Sequence, residues 1–159
     1  KSTIIKDIAY DKKAGKLYGI SMNKMFEIDM ATGAQTALYS GFYFGVTGMM
    51  LYTMASDDAG TIYAISSLGA LCSLDQTTGC GEYVIDKNTK LDGTSLNGSN
   101  NSMAFGSDGT LYWAATTTAK GTASTVLNKV DLATGKVSQY IGSFGGEDRD
   151  VKLTGMYIK

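Results

Sequence analysis

Histidine and proline do not occur in the 159 residues, and only two cysteines and one tryptophan do. Without histidine the chain lacks the commonest general base, the usual zinc ligand and every Ser-His or Cys-His nucleophile pair. Charge is sparse and balanced, with 14 Lys plus Arg against 15 Asp plus Glu and a net charge of −1. No basic stripe stands out, so nucleic acid and anionic membrane surfaces are not expected partners. No run of eighteen apolar residues occurs, and no membrane insertion is expected. A phosphate-cradling glycine loop ahead of a helix is missing too, as is any CxxC motif. Nor does any stretch of eleven or more residues carry a clear apolar period of 3.6, which argues against amphipathic helices.

What is present points to strands. Glycine is abundant at 20 residues, and ten tyrosines accompany many threonines and serines. That mix favours short strands joined by glycine turns. Hydrophobic residues make up 43% and charged ones 18%, the balance of a packed globular chain. The length fits one domain, 1–159. A start at Lys1 without Met is expected of a processed or excised piece. The cysteines lie in "LCSLDQTTGCGEY", and a tight turn at "DQTTG" would leave Cys72 and Cys80 out of direct opposition. Disulfide geometry needs Cβ atoms about 4 Å apart, so two free thiols are expected, one packed and one near a turn.

One pattern recurs three times. "GKLYGIS", "GTIYAIS" and "GTLYWAA" begin at Gly15, Gly60 and Gly109, at intervals of 45 and 49 residues. A few positions earlier each has a short apolar strand with a shared alanine: Ala9, Ala55 and Ala104. Downstream, "MFEIDMATG", "LCSLDQTTG" and "LNKVDLATG" align Asp29, Asp75 and Asp131, and also Gly33, Gly79 and Gly135. A fourth strand follows each: "AQTALY", "GEYVI" and "VSQYI". The unit is therefore four strands, the size of one propeller blade. In "GTLYWAA" Leu111 and Trp113 point one way while Tyr112 and Ala114 point the other. Both faces are apolar, so something must pack on both sides, unlike a sheet with one wet face. The third strand is more polar, with Glu27, Ser73 and Lys129 at one shared position.

The shared Asp and Thr-Gly have a mechanical reading. Asp accepts hydrogen bonds from turn N–H groups, and Gly takes the positive φ of a tight hairpin. Three such carboxylates on three separate blades would not converge on a metal.

"DGTLYWAA" followed by "LNKVDLATGKVSQY" resembles the blades of quinoprotein-like and NHL/YVTN-like β-propellers, and the propeller modules of secreted and cell-surface bacterial proteins. The resemblance covers essentially the whole chain and implies an all-β fold of propeller blades. Repeats are expected at about 4–40, 47–86 and 101–142, with 153–159 opening a fourth blade, because "LTGMYIK" is similar to "VTGMM" at 46–50. Two departures stand out. The Trp that quinoprotein repeats place after Thr-Gly-Lys is missing from "KVSQY", and nothing matches a quinone or calcium site. No cofactor and no metal is expected. Three blades cannot close a ring, so completion by a second copy or by blades outside these residues is expected.

The resemblance also locates a ligand face. Propeller connectors between blades gather at one end with the loops between second and third strands. Here they supply Phe42, Tyr43 and Phe44, then Asn97, Asn100 and Asn101, and finally Glu147, Asp148 and Arg149. Aromatics beside amides and carboxylates suit a protein or glycan partner, although Phe42 or Phe44 equally suits a plug between blades. A longer second-to-third-strand loop is expected at 116–125 in blade three. The expected function is a non-catalytic binding or scaffolding module of a bacterial surface or secreted protein. The alternative is a carboxylate-based hydrolase or lyase with its site on the same loop face.

Overall fold

The computed structural model describes residues 3–21, 24–39, 50–85, 91, 101–119, 122–144 and 156. They form three four-stranded antiparallel sheets, each a simple meander. Blade 1 contains β1 (Asp7–Asp11), β2 (Lys16–Ser21), β3 (Lys24–Ile28) and β4 (Gln35–Tyr39). Blade 2 contains β5 (Leu51–Ser56), β6 (Ile62–Ser66), β7 (Leu71–Leu74) and β8 (Gly81–Tyr83). Blade 3 contains β9 (Asn101–Phe105), β10 (Leu111–Ala119), β11 (Thr122–Val130) and β12 (Val137–Phe144). Among the described residues no helix is long and apolar enough to cross a membrane.

Strand register confirms the repeat residue by residue. Each shared alanine pairs with the tyrosine of the second strand, and that tyrosine with the polar position of the third. The three rows are Ala9–Tyr18–Glu27, Ala55–Tyr63–Ser73 and Ala104–Tyr112–Lys129. Directly paired residues share a sheet face, so every blade has a face bearing this row, here termed forward, and an opposite, backward face.

The core sits in the two seams between blades. In the first seam the forward face of blade 1 (Ala9, Tyr18, Ile20, Met25) packs on the backward face of blade 2 (Leu51, Met54, Ile62, Ala64). In the second, Ala55, Ile65 and Leu71 of blade 2 meet Met103, Leu111 and Trp113 of blade 3. Burying each of the larger side chains among them contributes about 1.5–3 kcal/mol, and both faces of blade 2 are covered. That is why its second strand is apolar on both sides.

The glycine turns behave as the sequence predicts. Gly33, Gly79 and Gly135 adopt φ of 72°, 68° and 69°, the left-handed region that a side chain enters only at a cost. Cys72 and Cys80 are free thiols, the first buried and the second exposed. Trp113, Ile20 and Ile65 are fully buried and Tyr112 nearly so, whereas Leu17 and Tyr63 are only half-buried. Leu17 lies on the backward face of blade 1, which among the described residues has no blade against it, and Tyr63 stands at the edge of the second seam, tilted on Phe105 at 5.4 Å.

One expectation needs correction. Residues 116–125 do not form a long loop, because β10 and β11 run on as a nine-residue hairpin pairing Ala119 with Thr122. Its threonines are β-branched and favour extended backbone. The remainder of the fourth-blade strand at 153–159 lies outside the described residues, except Met156, which packs on the forward face of blade 3 near Tyr112, Ala114 and Leu127.

Candidate binding site on the blade axis

The first strand of each blade lies against its neighbour, β1 on β5 and β5 on β9. Ala9 and Ala55 make this convergence feasible, because a larger side chain at either buried position would hold the strands apart. Together these strands line a cavity of about 420 Å³. Its lining mixes apolar side chains, among them Ile8, Tyr10, Phe105 and Met156, with polar ones such as Ser56. Polar groups appear at the mouth, where Lys12 and Asp58 form an exposed ion pair at 2.9 Å. Such an exposed pair contributes little to stability. The cavity opens at the end carrying the turns between first and second strands, since Lys12, Asp58 and Ser107 come from those turns.

The repeated aspartates are occupied by the scaffold. Asp29 Oδ1 accepts the N–H groups of Ala31 and Thr32 at 3.0 and 2.7 Å. Asp75 Oδ1 accepts those of Thr77 and Thr78 at 3.0 and 2.6 Å. Asp131 repeats the arrangement with Ala133 and Thr134 at 2.8 and 3.2 Å. Hydrogen bonds from the threonines and the turn amides hold all three carboxyls below the usual carboxylate range. They are permanent anions bound to their own turns. Among the described residues no group of three or more Cys, Asp or Glu could hold a metal ion.

Asp7 differs. Its Oδ2 accepts the Thr53 hydroxyl and, at 2.9 Å, the Met54 N–H, which ties β1 to β5 across the first seam. Burial raises its pKa to about 6, against the opposing effect of those hydrogen bonds. Burial likewise pushes the Cys72 thiol up to about 12, which makes it unreactive in the folded chain.

The residues that the sequence marks as ligand groups fall into two sets. Phe42, Tyr43, Phe44, Asn97, Asn100, Glu147, Asp148 and Arg149 lie outside the described residues. Asn101 is described, and it serves the core. It lies on β9, 8% exposed, and its Oδ1 accepts the indole N–H of Trp113 at 3.1 Å. A buried indole needs such an acceptor, so this carboxamide is a packing partner of the second seam. Sequence reasoning missed the axial cavity, whose mouth is at the end opposite the inter-blade connectors. The one signal for it was the alanine shared by all three first strands.

Comparison with known proteins identifies the fold. No family model and no curated protein matches the sequence. Among solved structures, a hemopexin fold protein from cow pea aligns with a TM-score of 0.55 at 13% identity, covering 97% of this chain and 77% of that one. The PQQ-bound aldose sugar dehydrogenase of Streptomyces coelicolor aligns at 0.50 and 18% identity, covering 82% and 45%. The extracellular domain of a presumed hybrid two-component system from B. thetaiotaomicron aligns at 0.50 and 15% identity, covering 87% of this chain. The chain spans only 17% of that last domain. At these identities the likeness concerns fold alone: the chain is all-β and built of propeller blades.

Proposed function

We propose that the chain serves as a non-catalytic binding or scaffolding propeller module, in an extracellular or cell-surface bacterial protein, recognising protein or carbohydrate. The observation that carries this reading is the fate of the repeated carboxylates. Asp29, Asp75 and Asp131 are each bound to the amides of their own turn, so the repeat builds a scaffold at the positions where a catalytic set would otherwise be sought. The extracellular setting of the Bacteroides structure supports the location. The repeat resembles those of the quinoprotein-like and NHL/YVTN-like propellers.

The ligand face is the connector end, with Tyr43, Phe44, Asn97, Asn100 and the cluster Glu147, Asp148 and Arg149. A panel of glycans and peptides tests the reading by calorimetry and product analysis. Saturable binding without turnover, weakened by Tyr43→Ala or Arg149→Ala, is the expected outcome. Hydrolysis or elimination of any panel member would contradict it.

A further inference from the structure

Two repeat positions of the blades face the axial cavity. Tyr10, Ser56 and Phe105 pair with Leu17, Ile62 and Leu111, and so hold one place in three blades. Two residues on, in the turns, Lys12, Asp58 and Ser107 hold a second. All six line the cavity. The blades thereby bring unlike groups into one space, with aromatic, hydroxyl and aromatic at the inner level and cation, anion and hydroxyl at the mouth. Unlike groups around one space are what an asymmetric ligand needs.

Apolar surface is left uncovered inside it. Ile8 and Tyr10, which both line the cavity, are 53% and 46% exposed. Phe105 is held by its tilted contact with Tyr63 at 5.4 Å, so a ligand meets an aromatic wall already in place. The polar groups keep capacity beyond their internal bonds. Ser56 gives its hydroxyl hydrogen to the Asp57 carbonyl at 3.1 Å and retains lone pairs for an incoming donor. Asp58 meets Lys12 through one oxygen, and a carboxylate has further acceptor sites.

These features select a ligand class. A purely apolar molecule would strip water from Ser56 and Asp58 without replacing its hydrogen bonds. A molecule with net charge would have to part the Lys12–Asp58 pair or meet a like charge beside it. A neutral sugar has a C–H face for the aromatic wall and a hydroxyl edge for the acceptors. The volume of about 420 Å³ falls within the range of small-molecule sites, about 300–1,000 Å³. We propose that the axial cavity is a second, separate site that takes a neutral hexose unit. Tyr10 and Phe105 lie against its C–H face, and Asp58 and Ser56 accept its hydroxyls. The proposal rests on the carbohydrate reading above and places this site at the end opposite the connector face.

Titration of the 159-residue chain with methyl glucoside, methyl galactoside and methyl mannoside, followed by saturation-transfer NMR and calorimetry, tests it. At least one should bind saturably, and Tyr10→Ala and Asp58→Ala should each weaken that binding about tenfold. Both side chains are exposed and outside the two seams, so the urea midpoint should not move. Leu68→Ala, on an exposed turn away from the cavity, should leave binding unchanged. Failure of all three sugars to bind, or binding that survives both substitutions, would overturn the proposal. Tighter binding of glucosamine or glucuronate than of the neutral sugars would overturn it as well. Binding that Tyr43→Ala weakens and Tyr10→Ala does not would overturn the axial site and leave the connector-face reading standing. Binding lost with Tyr10→Ala and untouched by Tyr43→Ala supports the axial site, even where the connector face takes no ligand.

Discussion

The two seams solve one packing problem in different ways. Both join a forward face to a backward face through the same repeat positions, yet the position held by Ala64 in the first seam holds Trp113 in the second. The first is aliphatic and thioether-rich, and a half-buried carboxylate, Asp7, ties its two strands together. An indole fills the second, which carries its own acceptor, Asn101, and a second carboxamide, Asn128, whose Nδ2 donates to the Trp113 carbonyl at 3.3 Å. A blade repeat therefore fixes where a residue packs, while the facing blade decides how large it can be. Polar groups enter either seam only with partners, since an unpaired one costs about 1–3 kcal/mol.

The largest effect should come from emptying the second seam. Trp113→Ala removes a fully buried indole and its N–H bond to Asn101 Oδ1. It should cost about 3–5 kcal/mol in urea unfolding. Ala64→Gly, at the same position of the first seam, should cost about 1 kcal/mol. Comparable losses in the two variants would erase the contrast.

Next comes the carboxylate of the first seam. The pKa of Asp7 is about 6 when folded against 3.8 unperturbed, so the folded chain holds its proton more tightly than the unfolded one. That stability is fully present below pH 4 and is lost as pH rises through 6. At about 1.4 kcal/mol per unit, the loss approaches 3 kcal/mol. Asp7→Asn should abolish this slope between pH 4 and 7 and leave the variant more stable than the parent at pH 7. An unchanged slope would place the titration elsewhere.

The smallest effect distinguishes a turn in a seam from one outside it. Gly33 and Gly60 both have positive φ, at 72° and 87°, but a Cβ on Gly33 meets nothing within 4 Å while one on Gly60 would stand 2.9 Å from Asp11 Oδ1 across the first seam. Gly33→Ala should cost about 1 kcal/mol and Gly60→Ala about 2, measured by thermal unfolding. Equal costs would mean that Asp11 moves aside freely.

Much of the scaffold was legible because its rules are local. Asp29 and Gly33 lie four residues apart, and their turn is closed by atoms within that span, including the Gly33 N–H bonded to the Asp29 carbonyl at 2.7 Å. The two-faced apolarity of "GTLYWAA" likewise revealed covering on both sides before any neighbour was known. Composition misled at 116–125, where Thr and Ser look like loop residues, yet Thr116, Thr117 and Thr118 pair with Thr125, Ser124 and Ala123 across a long hairpin. Asn101 was misread because its partner, Trp113, is brought opposite only by the β9–β10 register. The axial cavity depends on how three blades converge, and no spacing in the chain encodes that angle.

The central claim is that equivalent backward faces of blades 2 and 3 are sealed by the blade before them. Mild peroxide oxidation, followed residue by residue by mass spectrometry, tests it directly, since thioethers react according to access. Met30, 60% exposed, is the internal reference, and Met54 and Met103 report on the first and second seams. Met30 should oxidise first, with Met54 and Met103 protected together until the chain unfolds. Oxidation of either at the rate of Met30 in the folded chain would contradict the account.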